Sequence, residues 1–496
     1  MKKICAIIMT VCLLAGALCV TAFAAGESER GVVMTVSALE KGGNVVKIED
    51  KTSFEDGWNL AMTKAKDKDY LDNNGYERIV VDLHSDWTAN DDGEFGDSDG
   101  EGFQWSTIYI PKKAIVTLNM NGHTIDRSLG ENNELDGEVI CIEQKADVII
   151  NGGKSGDTIT RADDTKATVS FGTITGGNSD NGAGGIHILD NAKVTLNNVK
   201  IVGNVADDDD GGGIAMYDKA TLVMNGGGFI DNKNNSLTES YGAAIYIKGC
   251  TAQFNKVLFS NNQFTYKSGS GAALYSDTRS VIEMDECKLL NNGNWDEGAG
   301  AKGALSVIYM FGGAIEIKNT DFEGNGSSAE NLLGSRTFSV LELWCSKLAM
   351  DSCTFTKNRA IDYMIDTHTS YPNEVLVLNS TFANNDGGVF AGDVAAFTNC
   401  TFDKNGGSYT FGVGMYDHEK VVLKDCSIGN STFEKEKRIE IVDTDAENGA
   451  NLSASVFGSG ALVMILSFVA LIGSLASVSV SVRSNKKEMQ PTEEEC

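Results

Sequence analysis

A repeat of 20–33 residues runs through the middle of this sequence and constrains the fold more than any other feature. Each repeat has a run of alternating apolar and polar residues, a polar turn, a second alternating run, an aromatic or aliphatic residue and a closing asparagine. The stretches GIHILDNAKVTLNNVKIVGN (185–204) and GIAMYDKATLVMNGGGFIDN (213–232) show the pattern. The closing asparagines are Asn204, Asn232, Asn262, Asn292, Asn325, Asn358, Asn385, Asn405 and Asn430.

Alternation with a period of two indicates strands that bury one face. Two or three such strands in each repeat, with no helical stretch between them, predict an all-β solenoid whose coils stack at about 4.8 Å. Equivalent side chains then lie above one another, so Val194 and Leu196 should fill the interior together with Val421 and Leu423 of a later coil. The closing asparagines should form a hydrogen-bonded ladder along the axis.

Four cysteines share one position of the repeat, three residues after the last inward residue of the second strand. They are Cys287, Cys353, Cys400 and Cys426, and we expect Val199, Val257, Thr320 and Thr381 at the same position in other coils. A position that accepts valine, threonine and cysteine indicates a small inward pocket. Cys400 and Cys426 lie on neighbouring coils and are the one pair that a disulfide could join.

An early segment, TIYIPKKAIVTLNMNGHTIDR (107–127), adds a family likeness. With the repeats, it resembles the right-handed parallel β-helix superfamily, the pectin-lyase-like fold, in a surface-anchored bacterial type. The resemblance covers residues 76–445 and implies a right-handed parallel β-helix solenoid. It does not imply one activity, because this fold hosts lyases, hydrolases, adhesins and passive stalks.

The residues before the repeats predict a cap for the solenoid. Residues 25–75 form this N-terminal cap region, and TSFEDGWNLAMTKAK (52–66) reads as an amphipathic helix that Thr52 or Ser53 can cap. Its apolar side should contain Phe54, Trp58, Leu60, Ala61 and Ala65. A solenoid needs its open first coil covered, and we expect this capping helix to cover it.

The two ends of the chain predict secretion and anchoring. Residues 1–24 have the basic start, apolar stretch and A-x-A site of a signal peptide. Residues 446–459 form a spacer, and the uncharged residues 460–482 predict a transmembrane helix. Basic residues open the 483–496 tail, which places it in the cytoplasm. The expected location is the cell surface, as a single-pass plasma membrane protein with an extracellular N-terminal domain.

The net charge of −28 limits the partners of this chain. It excludes nucleic acid and an anionic membrane surface as binding targets, because both would repel the protein. With 55 glycines and only 3 prolines, the composition is typical of a turn-rich β protein. Nothing in the sequence indicates the oligomeric state.

Acidic residues at the end of the first strand are the candidates for catalysis. Asp190 and Asp218 lie on neighbouring coils, as do Asp393 and Asp417, and His418 follows Asp417. Aspartate stabilises turns through its own backbone, so turn residues are the first interpretation. Carboxylates about 5 Å apart could alternatively serve a retaining glycosidase or bind Ca²⁺.

An acidic loop offers a second candidate for Ca²⁺. Asp97, Asp99 and Glu101 are spaced like the first ligands of an EF-hand, but Ile108 stands where the bidentate glutamate is expected. The sequence requires no cofactor and leaves Ca²⁺ binding open.

The layout of signal, repeats and anchor favours a non-catalytic adhesin or scaffold that binds an extracellular glycan or another cell-surface ligand. The insertions after Asn204, Asn262, Asn292 and Asn325 would form its variable face. The alternative is a cell-surface polysaccharide lyase or glycoside hydrolase, which requires a groove with grouped acids and exposed aromatic residues. The sequence leaves the question of catalysis open.

Overall fold

The structure is a computed structural model that describes the solenoid with gaps at several insertions. The described residues are 31–89, 103–104, 107–128, 137–153, 158–160, 166–168, 171–180, 182–207, 210–236, 241–265, 268–293, 303–304, 306–326, 338–359, 363–368, 373–392, 394–407, 409–412, 420–429 and 439–442. No helix among them is long and apolar enough to cross a membrane. The predicted signal peptide and transmembrane helix lie outside these residues, so both stay predictions.

The described residues form two helices near the N-terminus and many short strands. The helices are α1 (Phe54–Ala65) and α2 (Lys68–Asn74). The strands, in chain order, are β1 (Met34–Glu40), β2 (Val45–Lys51), β3 (Tyr76–Leu83), β4 (Trp87–Thr88), β5 (Phe103–Gln104), β6 (Thr107–Ile110), β7 (Ile115–Asn119), β8 (Thr124–Asp126), β9 (Ile140–Ile142), β10 (Asp147–Asn151), β11 (Thr158–Thr160), β12 (Lys166–Thr168), β13 (Gly172–Thr175), β14 (Asn178–Ser179), β15 (Ile186–Ile188), β16 (Lys193–Val202), β17 (Val205–Ala206), β18 (Ile214–Tyr217), β19 (Thr221–Ile230), β20 (Lys233–Asn234), β21 (Ile245–Lys248), β22 (Thr251–Asn255), β23 (Leu258–Ser260), β24 (Gln263–Phe264), β25 (Ser268–Gly269), β26 (Leu274–Asp285), β27 (Lys288–Leu290), β28 (Gly303–Ala304), β29 (Ser306–Lys318), β30 (Asp321–Glu323), β31 (Ser339–Asp351), β32 (Thr354–Thr356), β33 (Tyr363–Thr367), β34 (Glu374–Leu378), β35 (Thr381–Ala383), β36 (Gly388–Ala391), β37 (Val394–Thr398), β38 (Thr401–Asp403), β39 (Phe411–Gly412), β40 (Lys420–Lys424), β41 (Ser427–Ile428) and β42 (Ile439–Val442).

The strands stack in three parallel columns, which confirms the predicted all-β parallel solenoid. The first column runs β6–β9–β15–β18–β21–β26–β29–β31–β33–β36–β39. The second column begins β3–β7–β10–β16 and ends β34–β37–β40. The third begins β4–β8–β13–β16 and ends β35–β38–β41. Long strands such as β26 bend at a corner and belong to two columns.

The N-terminal segment differs in part from the prediction. The helix spans Phe54–Ala65, and the Ser53 hydroxyl accepts a hydrogen bond from the Asp56 backbone N–H at 3.2 Å, as a capping residue does. The Trp58 indole donates to the Tyr109 carbonyl of β6 at 3.0 Å. The sequence does not predict β1. This strand pairs antiparallel with both β2 and β3, and β3 is the first strand of the second column. The role of α1 as the cover of the first coil stays a prediction.

The interior of the solenoid contains the side chains that alternation predicted. Val194, Leu196, Val421 and Leu423 are at most 2% exposed. The aromatic residue three positions before the closing asparagine also points inward, and these phenylalanines stack from coil to coil. Their ring centroids are 5.0 Å apart for Phe229–Phe259, 4.3 Å for Phe322–Phe355, 4.7 Å for Phe355–Phe382 and 5.8 Å for Phe382–Phe402.

The predicted asparagine ladder is confirmed over eight successive coils. Each side-chain amide donates to the amide oxygen of the next asparagine, over distances of 2.8–3.2 Å. Each also donates to a backbone carbonyl of a preceding coil, as Asn292 does to Phe259 at 2.9 Å. The ladder runs from Asn204 to Asn405, all at most 4% exposed, while Asn430 lies outside the described residues.

A second ladder, which sequence analysis did not predict, lies at the corner after the second column. Its side-chain amides are joined at 2.8–2.9 Å and are half-buried rather than buried. The members are Asn119, Asn151, Asn197, Asn225 and Asn255. Because water reaches this corner, each hydrogen bond there should stabilise the coil less than one in the buried ladder.

The cysteine position is confirmed, with one correction. Cys287, Cys353 and Cys400 are at most 2% exposed, and Cys426 is half-buried. The prediction for Thr381 is wrong, because Thr381 pairs with Thr354, one residue beyond this position. Ser380 occupies the pocket instead, and its hydroxyl accepts a hydrogen bond from the Cys353 backbone N–H at 3.0 Å. The sequence does not distinguish Thr381 from Ser380 at this position, because both residues are small and polar. The register is fixed only by the strand pairing in the structure.

Candidate functional site

The acidic residues that the sequence singled out lie in turns where the structure describes them. Asp190 and Asp218 follow the first column, and the Asn191 backbone N–H donates to the Asp218 carbonyl at 3.0 Å. Asp218 has a φ of 39°, which suits a turn aspartate. A catalytic role for either stays a prediction. The other candidates, Asp97, Asp99, Glu101, Asp393, Asp417 and His418, lie outside the described residues.

The outward side of the first column carries a stack of tyrosines. Tyr246, Tyr275 and Tyr309 are in register on three successive coils, so their rings lie one above another. The ring centroids are 5.4 Å apart for Tyr246–Tyr275 and 4.8 Å for Tyr275–Tyr309, with interplanar angles of 10° and 5°. Tyr217 joins the stack at 5.6 Å from Tyr246, and Tyr241 reaches it from the preceding segment at 4.4 Å from Tyr275.

The stack is dense enough to bury polar groups. Tyr246 and Tyr275 are only 5% and 8% exposed although they point away from the core of the solenoid. Burial, reinforced by the neighbouring Tyr309 and Tyr241, raises the pKa of Tyr275 well above its ordinary value. The Tyr275 phenol is therefore neutral at physiological pH, and the stacked rings act as rigid, amphipathic surfaces.

The character of this outward row changes after Tyr309. The next two coils place Glu342 and then Asp366 in register with it. A second outward row lies two residues further along the same strands. It contains Phe311, which is 38% exposed, and Trp344 in register with it. Together with the tyrosines and His368, these residues make up what we call the aromatic face: Tyr217, Tyr241, Tyr246, Tyr275, Tyr309, Phe311, Glu342, Trp344, Asp366 and His368.

Contacts within the aromatic face hold its polar end in place. The Trp344 indole donates to the Glu342 carboxylate at 3.0 Å. Its ring stacks on His368 with centroids 3.5 Å apart and an interplanar angle of 18°. The carboxylate of Glu342 is thereby oriented beside an aromatic platform, which is a suitable geometry for a ligand with both hydroxyl groups and apolar surface.

A cluster of three potential metal ligands lies beyond the other end of the tyrosine stack. His187 is in register with Cys141 of the preceding coil, and Glu138 precedes β9. One ligand atom from each of Glu138, Cys141 and His187 lies within 4.8 Å of the others, and no other such group occurs in the described part of the chain. The His187 ring meets the Tyr217 ring edge-on at 5.4 Å, which connects the cluster to the aromatic face.

Electrostatics around Cys141 disfavour its thiolate. Burial, with the nearby carboxylates of Glu138 and Glu143, raises the pKa of the Cys141 thiol well above its ordinary value. Glu143 likewise raises the pKa of Tyr109, for which burial is the larger cause. Burial is the larger cause of both pKa shifts, and the neighbouring carboxylates add to it.

Sequence analysis missed both the aromatic face and this cluster. His187 and Cys141 are 46 residues apart in the chain and meet only through stacking of the coils, so no local motif connects them. Aligning GEVICIEQKADVII (137–150) as a coil beneath GIHILDNAKVTL (185–196) would have revealed the pair. The alternating pattern predicts which residues point inward. It does not predict which outward residues pack together, and therefore it does not indicate the tyrosine stack.

Comparison with known sequences supports the fold. Residues 220–394 match the sequence model of the family described as the right handed beta helix region. None of the curated proteins compared with the chain matches it. The match spans β19 to the start of β37 and confirms the predicted right-handed parallel β-helix for this segment. The surface-anchored bacterial type stays a prediction.

Proposed function

Since residues 220–394 are a right-handed β-helix region, we propose that the protein is a membrane-anchored extracellular scaffold that binds neutral glycans along its aromatic face. The predicted signal peptide and transmembrane helix support the location. The proposal includes no chemical step, because binding requires only a rigid surface that matches the ligand.

The aromatic face is the observation that carries this proposal. Sugar rings have apolar C–H faces and hydroxyl groups at their edges, so they bind where flat apolar rings lie next to hydrogen-bond acceptors. Phe311 and Trp344 offer the flat surfaces, and Glu342 and Asp366 offer the acceptors in register on adjacent coils. The rings from Tyr246 to Tyr309 stack on one another, which keeps the tyrosine part of the face rigid.

The charge of the chain favours a neutral rather than an acidic glycan. At a net charge of −28, a polyuronate or sulfated polymer would be repelled over the whole surface. The two carboxylates of the aromatic face would oppose such a ligand directly.

Glycan-array binding of the purified full-length protein tests the proposal. Phe311→Ala and Trp344→Ala should each weaken binding to a neutral glycan at least about tenfold, or about 1.4 kcal/mol, because each removes a stacking surface. Tyr409→Ala is the matched control, since Tyr409 is also 38% exposed but lies outside the two outward rows. Absence of binding to any glycan, or equal loss in the control, would contradict the proposal.

A second candidate function, glycoside hydrolysis, is favoured by one specific observation. Glu342 and Asp366 are directly in register on neighbouring strands, which lie about 4.8 Å apart in a sheet. Retaining glycosidases hold their two carboxyl groups about 5–5.5 Å apart. This pair is therefore a further candidate for a catalytic dyad, beside the turn aspartates Asp190 and Asp218, whose catalytic role stays a prediction.

Incubation with neutral and acidic polysaccharides, with and without Ca²⁺, separates the two functions. Release of reducing ends by the wild type, lost in both Glu342→Gln and Asp366→Asn, would establish hydrolysis. Binding without product in the wild type supports the non-catalytic scaffold.

A further inference from the structure

We propose that Glu138, Cys141 and His187 form a binding site for a divalent transition-metal ion, with Zn²⁺ as the best-suited ion. The carboxylate oxygen, thiol sulfur and imidazole nitrogen all lie within 4.8 Å of one another. This inference does not depend on the proposed glycan binding, because it concerns a separate cluster and a different kind of ligand.

The backbone around the cluster is fixed. Cys141 lies between Ile140 and Ile142, and both of these side chains are fully buried in the interior. His187 lies in the same way between Ile186 and Ile188 on the next coil. Since alternate residues of a strand point to opposite faces, the buried isoleucines hold the thiol and the imidazole outward, one above the other.

The distances suit a tetrahedral ion after small side-chain rotations. Ligand atoms that share one Zn²⁺ at about 2.0–2.3 Å lie roughly 3.3–3.7 Å apart. Closing the cluster from at most 4.8 Å therefore takes movements of about 1 Å, within reach of χ rotations of Glu138 and His187.

The segment that precedes β15 leaves room for the His187 imidazole. Gly182 has a φ of 116°, and a Cβ at this position would lie 2.6 Å from Nδ1 of His187. Only glycine both adopts this backbone conformation readily and allows the ring to lie so close. The Tyr217 ring also packs edge-on against the His187 ring, at 5.4 Å between centroids.

The donor set selects the kind of metal. Sulfur and nitrogen ligands disfavour Ca²⁺ and Mg²⁺, which prefer oxygen, and fit Zn²⁺. Three protein ligands leave a fourth position for water or for a group of a bound molecule, as in open zinc sites. Because the His187 ring contacts the Tyr217 ring, the cluster adjoins the tyrosine stack.

Cobalt substitution of the full-length protein tests the site. After chelation, titration with Co²⁺ should give one bound ion with a thiolate charge-transfer band and the intense visible bands of a tetrahedral centre, and Zn²⁺ should displace it. Cys141→Ser should abolish the charge-transfer band and weaken Zn²⁺ binding about a hundredfold or more. Cys345→Ser is the control, because Cys345 is a half-buried thiol outside the cluster, and it should leave the spectrum unchanged.

His187→Ala provides a second route if Cys141→Ser does not fold, since His187 is half-buried on the outward side and its loss should spare the interior. It should weaken Zn²⁺ binding in equilibrium dialysis about as much as Cys141→Ser. The proposal is overturned if the wild type shows only weak octahedral cobalt bands, or if a folded variant of either ligand keeps the wild-type affinity and spectrum.

Discussion

The buried asparagine ladder has the same residue in every coil, whereas the residues of the aromatic face change from coil to coil. At the ladder, the same residue recurs in eight successive coils and makes the same hydrogen bonds each time. On the face, the outward position changes from Tyr309 to Glu342 to Asp366 in three successive coils. The coils stack in register at both regions. The path of the backbone therefore does not explain why one position is uniform and the other varies.

The contrast separates scaffold from function. The same backbone donors and acceptors recur at this corner in every coil. Asparagine forms hydrogen bonds with them because its side-chain amide both donates and accepts along the axis. An outward position has no such constraint from the fold, so a cluster of large aromatic rings there calls for another explanation, such as a ligand. The following predictions test this division, beginning with the largest effect.

Asn292→Ala should destabilise the protein strongly, by about 4–5 kcal/mol. It removes the amide that donates to the Phe259 carbonyl at 2.9 Å, and it leaves the Asn262 backbone and side-chain donors without an acceptor. All of these groups are buried, so water cannot replace the lost partner. The midpoint of urea unfolding measures the effect.

The outer ladder provides the control for that variant. Asn255→Ala also removes one ladder hydrogen bond, to Asn225 at 2.9 Å, but the site is half-buried. We expect a loss below about 1 kcal/mol. Equal losses at the two ladders would show that burial does not distinguish them.

Phe355→Ala should cost about 3–4 kcal/mol, because it leaves a cavity between two stacked rings. The Phe355 ring lies 4.3 Å from Phe322 and 4.7 Å from Phe382 and is fully buried. Phe311→Ala on the aromatic face should cost less than about 0.5 kcal/mol, since Phe311 is already 38% exposed. Thermal unfolding of both variants measures the difference, and a large loss at Phe311 would make the face part of the scaffold.

Cys353→Ser should destabilise the interior only slightly, by less than about 1 kcal/mol. Ser380 already occupies the equivalent pocket one coil further and donates to the Leu378 carbonyl at 2.7 Å, so a serine at 353 can bond to Asp351 in the same way. Chemical denaturation measures the change. A loss above about 2 kcal/mol would mean that the pocket requires sulfur in this coil.

The neighbouring thiols of Cys400 and Cys426 are free in the structure. A hydrogen bond between them raises the pKa of Cys400 and lowers the pKa of Cys426. Cys426 is therefore the thiol of the pair that deprotonates more readily. Whether the pair forms a disulfide outside the cell stays a prediction, and mass spectrometry of the non-reduced protein would decide it.

The scaffold could be predicted from the sequence because it repeats. Asn204 to Asn405 and the inward phenylalanines recur at a recognisable spacing, and alternation identified buried residues such as Val194 and Leu423. The register within a repeat was less secure, as the exchange of Thr381 for Ser380 shows, because small polar residues look alike in sequence.

The candidate site could not be predicted in the same way. Cys141 and His187 meet only when coils of different length are aligned, and insertions hide that alignment. Tyr246, Tyr275 and Tyr309 occupy surface positions, for which a single sequence sets no rule. The acidic residues that stood out in the sequence, such as Asp190 and Asp218, were conspicuous because they recur in turns.

Hydroxyl-radical footprinting of side chains tests the division between scaffold and face most directly. The full-length protein would be oxidised briefly with and without a saturating neutral oligosaccharide chosen from the array, and each residue quantified by mass spectrometry. We predict that Tyr309, Phe311 and Trp344 become protected while Tyr409 does not change. Protection elsewhere on the solenoid, with Phe311 and Trp344 oxidised as before, would contradict the account.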